Sequence, residues 1–280
     1  MAVVRSMMLE FPDRDYRRVV RIGERKYAAC APAKLNITLD IGKREDDGMH
    51  NISSVMQTIS LHDYVTLEVV DAAQVGITGQ SIDDNVITKA IDELSRAVGK
   101  KLHCRIDAPK NIPVAAGLGG GSSDAAAALR LADKAFDLQM GASALATVAE
   151  RVGNDIPFLL YGGRAQVKGA KKHAIRPMNV PSLYYIMARP RMQLGTREMY
   201  ELHDKTGKDF TEIACMLCPD TDRILKELKR TTAVETGVTG KGPTVFASYA
   251  SYGECVKAAR QIGWFDGEVF IEKPVEAFIY

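Results

Sequence analysis

One stretch constrains this chain more than any other. Pro113-Val114-Ala115-Ala116-Gly117-Leu118-Gly119-Gly120-Gly121-Ser122-Ser123-Asp124 runs straight into Ala125-Ala126-Ala127-Ala128-Leu129. Gly117, Gly119, Gly120 and Gly121 lack the Cβ atoms that would hold a ligand off the backbone, and they tolerate positive φ. Ser122 and Ser123 are favourable N-caps for a helix opening at Ala125. A glycine loop feeding a helix N-terminus with unpaired N–H groups is an anion site. The competing reading is a turn that uses glycine for close packing. Two familiar phosphate patterns fail: no Gly-Lys-Ser/Thr follows the glycines, and their spacing is not G-x-G-x-x-G after a strand. The loop predicts a nucleotide-phosphate site of another design.

The rest of the chain bounds the answer. At 280 residues it is long enough to divide into two domains. A net charge of +2, with no Lys/Arg run interleaved with aromatics, argues against a dedicated nucleic-acid surface. No apolar run approaches the length of a membrane span. Met1–Val20 carries Glu10, Asp13 and Asp15 and lacks the apolar core of a signal peptide, so the cytoplasm is the expected location. Five scattered cysteines do not make a disulfide framework, and Cys215-Met216-Leu217-Cys218 has no second pair to complete a zinc site. No metal ligand set is expected.

Strand character is clear in Ile37–Ile41, Val65–Val70 and His103–Asp107, and Lys43–Asn51 reads as a loop. Val86, Ile87, Ala90, Ile91 and Leu94 predict an amphipathic helix behind Asp84-Asn85. Ser143–Val152 predicts a second helix. After Gly162-Gly163, strands are expected at Ala165–Lys168, Tyr184–Ala188, Thr244–Tyr249 and Glu268–Phe270, with helices at Arg197–Leu202 and Asp222–Leu228. Irregular alternation predicts α+β, not a doubly wound sheet. The expected division is an extension at 1–26, a first domain at 27–163 and a second at 164–280.

Three segments stand in a telling order: Ala31-Pro32-Ala33-Lys34-Leu35-Asn36, the glycine loop, and Val238-Thr239-Gly240-Lys241-Gly242-Pro243-Thr244-Val245-Phe246. Together they resemble the three motifs of the GHMP kinase superfamily. Asp47-Gly48-Met49-His50, Ser54-Val55-Met56-Gln57-Thr58-Ile59 and Asp155-Ile156-Pro157-Phe158 extend the resemblance to the branch acting on a cytidine-diphosphate-linked polyol in isoprenoid precursor synthesis. The likeness spans about residues 28 to 270. It implies a two-domain α+β kinase using ATP and Mg2+ on a small molecule in the cleft between domains, as a monomer or homodimer. The domain at 27–163 would bind ATP and that at 164–280 the acceptor.

By that resemblance Gly117, Gly119, Gly120, Gly121, Ser122 and Ser123 cradle the ATP phosphates, with Gly240 and Gly242 against them. Asn85, Val86 and Lys110 line the nucleotide site. Asp155 is the general base and Lys34 its charged partner. Asn36, Met49, His50, Thr196 and Tyr200 face the acceptor. A carboxylate can take the proton of an alcohol attacking the γ-phosphoryl group, and a lysine can offset the charge that develops. Each residue also has a plainer reading: Asp155 before Ile156-Pro157 also fits a helix cap, and His50 a solvated loop. Met49 stands where a tyrosine is common, and Lys241 where a small hydroxyl residue is usual. A GHMP kinase for a sugar, homoserine or mevalonate-type alcohol, or a non-catalytic nucleotide sensor, are the alternatives.

Overall fold

Periodicity and caps explain where the chain turns regular. The computed structural model describes residues 3–5, 18–45, 48–71, 76–78, 86–170 and 173–278. Two long strands dominate the first half, β3 (Lys26–Arg44) and β4 (His50–Val69), paired antiparallel along nearly their whole length. The expected loop at 43–51 shrinks to the few residues between them. Register shifts between Pro32 and Lys34, between Asn36 and Thr38, and between Ile41 and Arg44 break the two-residue alternation. That break hides the strands' true length from a pattern search.

Around this pair a seven-stranded sheet forms in the order β2-β3-β4-β6-β5 from β2 (Val20–Arg21), β6 (Cys104–Asp107) and β5 (Gly76–Thr78). β7 (Arg164–Gly169) pairs with β4 over residues 52–57, and β8 (Ala174–Met178) pairs with β7. Chain passage to the second sheet therefore falls between Met178 and Tyr184, later than the expected division at 163. Helices α1 (Val86–Val98), α2 (Gly120–Ala135), α3 (Gly141–Glu150) and α4 (Ile156–Tyr161) pack on this sheet. In α1 the buried residues are Ile87, Ala90, Ile91 and Leu94, the predicted stripe.

The second sheet runs β1-β12-β9-β11-β10, made of β1 (Val3–Arg5), β9 (Tyr184–Arg189), β10 (Glu235–Val238), β11 (Val245–Tyr249) and β12 (Glu268–Glu272). β1 belongs to the expected N-terminal extension and pairs parallel with β12. Four helices follow in sequence: α5 (Thr196–Thr206), α6 (Phe210–Leu217), α7 (Pro219–Leu228) and α8 (Tyr252–Gln261). α6 and α8 each open with a capping box, Asp209 with Glu212 and Ser251 with Glu254.

Each sheet has its own apolar core, and a third cluster joins them. Leu35, Ile59 and Leu118 meet Tyr185, Met187 and Phe246 there, all essentially buried. The mixed helix and sheet content agrees with the α+β expectation. Among the described residues no helix is long and apolar enough to cross a membrane.

Candidate active site

The glycines of the loop do different jobs. Gly119, at φ 71°, is the residue from which α2 departs, and the helix begins at Gly120. A Cβ on Gly119 would stand 2.9 Å from Lys34 Cγ, so its absence lets the lysine pass. A Cβ on Gly117 (φ 76°) would lie 2.4 Å from the Thr239 carbonyl oxygen. On Gly120 it would crowd Ile112 and the Lys110 ammonium, at 3.1 and 3.2 Å. At Gly121 nothing lies within 4 Å, which leaves an open floor over the first helical turn. The Lys34 N–H donates to the Leu118 carbonyl at 2.9 Å and fastens the loop to β3.

Two expectations for this loop are corrected. Ser122 and Ser123 are not N-caps, because the helix starts two residues before them. The Ser123 side chain does not line the cleft: it is buried, and its hydroxyl donates to the Pro32 carbonyl at 2.7 Å. Four residues beyond Gly119, its side chain turns toward the sheet beneath the helix. Ser122 lines the open side. The third-motif glycines divide in the same way. Gly240 lines the cleft, whereas Gly242 is buried and packs against Val238 and Ala214.

Below the loop, Lys34 and Asp155 meet. Lys34 Nζ stands 3.5 Å from Asp155 Oδ2; the lysine side chain is 5% exposed and the aspartate 31%. Asp155 precedes α4 but makes no side-chain cap bond, so its carboxylate is not committed to the helix end. Asn36 Oδ1 accepts from Lys34 Nζ at 2.5 Å, and Asn36 Nδ2 donates to Ser54 Oγ at 2.8 Å. The Asn36 N–H donates to Thr239 Oγ1. Asn36, expected at the acceptor, lines the cleft and also holds the Lys34 ammonium.

At one end of the cleft, Lys110 Nζ pairs with both Asp63 and Asp124. Asp63, fully buried, also accepts from the N–H groups of Asn111 and Ile112. Burial pushes the Asp124 carboxyl up to about 7 against the pull of Lys110. Its Oδ1 is buried and finds no hydrogen-bond partner, while the residue lines the cleft. Val86 also lines the cleft, and Asn85 lies outside the described residues.

The opposite end is aromatic. The His50 ring stacks on Tyr200 with centroids 4.9 Å apart, and Tyr200 meets the edge of Phe210. His50 Nε2 donates to Asp204 Oδ1 at 2.7 Å. Burial raises the Tyr200 hydroxyl pKa. Met49 lines the cleft beside His50. Lys241 does not point into solvent: its ammonium donates to Thr196 Oγ1 at 2.8 Å, and partial burial lowers its pKa.

Lys34, the glycine loop, Asp155, His50 and Tyr200 all line one cleft of about 1270 Å³. Sequence reasoning missed three of its residues. Asp124 reads as a first-turn acid, and Asp204 as an exposed helix charge. His173 also lines the cleft, with both ring nitrogens buried and unpartnered. Burial lowers its pKa, opposed by the charge of Asp155. No local signal marks it.

The GHMP kinases N terminal domain matches residues 85–163. A 4-diphosphocytidyl-2-C-methyl-D-erythritol kinase from Caldicellulosiruptor saccharolyticus is 31% identical over 88% of this chain and 96% of its own. One of the same name from Listeria welshimeri is 29% identical over 89% and 96%. A crystal structure of 4-(cytidine 5'-diphospho)-2C-methyl-D-erythritol kinase superposes with a TM-score of 0.73 at 23% identity, covering 88% of this chain and 98% of that one. Homoserine kinase from Cytophaga hutchinsonii gives 0.72 at 15% identity, over 92% and 97%. Two such similar scores establish a shared fold and do not choose between acceptors; the sequence relatives carry that distinction.

Proposed function

Because the chain belongs to the 4-diphosphocytidyl-2-C-methyl-D-erythritol kinase family of the GHMP kinases, we propose that its cleft transfers the γ-phosphoryl group of ATP to a hydroxyl of that cytidine-linked polyol. The chain is an ATP-dependent phosphotransferase with an alcohol as acceptor. The observation that carries the mechanism is the 3.5 Å approach of Lys34 to Asp155 directly under the glycine loop.

In this reading the acceptor hydroxyl lies against Asp155, whose carboxylate takes its proton as the oxygen attacks phosphorus. Lys34, aimed by Asn36, keeps a positive charge beside both the carboxylate and the transferring group. The N–H groups over Gly120 and Gly121 receive phosphate oxygens in the space that glycine leaves open. His50 and Tyr200 hold the far end of the acceptor. Met49 offers a polarisable thioether where an aromatic ring would stack on the base.

The residues also fit a magnesium ion. The unpartnered Asp124 Oδ1 and the Ser122 hydroxyl are hard oxygen donors at the phosphate end. Mg2+ bound with the nucleotide would neutralise charge on the transferring phosphoryl group.

Met49 supports a second reading, a GHMP kinase for an alcohol without cytidine. ADP release measured against a panel of 4-diphosphocytidyl-2-C-methyl-D-erythritol, homoserine and mevalonate separates the two. The proposal expects turnover with the first alone. Turnover with either of the others and not the first would refute it.

A further inference from the structure

Tyr200, His203 and Asp204 stand at i, i+3 and i+4 on α5, which puts them on one helical face. That face meets His50, the first residue of β4. Beyond the bond from His50 to Asp204, the His203 ring lies edge-on to His50 with centroids 5.8 Å apart. His50, His203 and Asp204 each offer one ligand atom, and these atoms lie within 4.8 Å of one another.

The surroundings prepare the histidines as ligands. His203 Nδ1 is 2.7 Å from the Lys208 carbonyl oxygen. A carbonyl can only accept, so Nδ1 carries a hydrogen and Nε2 is the nitrogen left to face an ion. Metal-binding histidines are commonly oriented by such a bond. The Asp204 carboxylate already faces His50, with Oδ1 2.7 Å from His50 Nε2. Two imidazoles and one carboxylate suit a borderline transition ion and leave a coordination position open. They do not suit Mg2+, which prefers an all-oxygen shell.

We propose that His50, His203 and Asp204 form a binding site for an ion of the Zn2+ class, and that an ion there excludes the acceptor. Binding replaces the hydrogen bond between His50 and Asp204 by two metal–ligand bonds. His50 Nε2 gives up its hydrogen to solvent while Nδ1 takes one up, which frees the Nε2 lone pair for the ion. His50, Tyr200 and Asp204 line the cleft, so an ion among them occupies the end where the acceptor is held; His203 is not among the lining residues. The exclusion rests on the reading of this end as the acceptor pocket, whereas the metal site does not.

The full chain, stripped of metal by chelator and dialysed, is titrated with Zn2+ by calorimetry. One equivalent is expected. His203→Ala should weaken binding at least about tenfold and leave zinc-free turnover unchanged. Cys215→Ala, which removes a partly exposed thiol, should change nothing. No uptake by the wild type, or equal uptake by His203→Ala, would overturn the site. In parallel assays Zn2+ should raise KM for the acceptor, and an unchanged KM would overturn the exclusion. Failure of acceptor turnover in zinc-free buffer would instead strike the proposed function, with the titration still interpretable.

Discussion

Gly119 and Gly121 are two residues apart and chemically identical, yet their environments predict opposite consequences for an added methyl group. Gly119→Ala places a Cβ 2.9 Å from Lys34 Cγ at a φ of 71°. It should lower Tm and displace the lysine, cutting kcat. Gly121→Ala meets nothing within 4 Å in a helical turn, so Tm should hold or rise with the better helix former. Its methyl group fills the open floor instead, and KM for ATP should increase. Thermal melts beside initial-rate kinetics check both; a stable, fully active Gly119→Ala would refute the first. Such differences were illegible in sequence, because the neighbours that distinguish the glycines arrive from β3 and from the turn after β10.

At the scale of elements, α2 has two serines with separate tasks. Ser123→Ala removes the bond to the Pro32 carbonyl, which should cost about 1 kcal/mol. ATP affinity should be untouched. Ser122→Ala should do the reverse, weakening ATP with little change in Tm. Denaturant unfolding and nucleotide titration of both variants test this division, and the opposite pattern would mean the helix is rotated. The sequence made the loop-to-helix transition legible, since glycine and alanine act locally. It misplaced the helix start by several residues because both glycines and serines open helices. α5 shows the same limit. Thr196 and Tyr200 were anticipated through the family resemblance, but Asp204 matters only because β4 begins opposite it.

For the whole molecule, the join between sheets is itself titratable. Glu272 on β12 accepts from the Ser60 hydroxyl on β4, and burial pushes its carboxyl up to about 7. Asp124 is raised to a similar value. Between the ordinary carboxylate range and about pH 7, the folded state therefore holds more protons than the unfolded state. Stability should fall as pH rises through that window and level off above it. Glu272→Gln should match the wild type near pH 5, melt higher near pH 8 and show a shallower slope between; an unchanged slope would contradict the assignment. Fold class was legible from composition and irregular alternation. The sheet change at 178–184 was not, because β7 returns to β4 through a pairing distant in sequence and carries β8 with it. Lys34 and Asp155, 121 positions apart, became partners on paper only through the family resemblance. Single-turnover transfer of γ-phosphate by Asp155→Asn tests their pairing most directly, with ATP and 4-diphosphocytidyl-2-C-methyl-D-erythritol both saturating. The chemical step should slow by about 10²–10⁴-fold while ATP affinity and Tm stay at wild-type values. A near-normal rate in that variant would contradict the account.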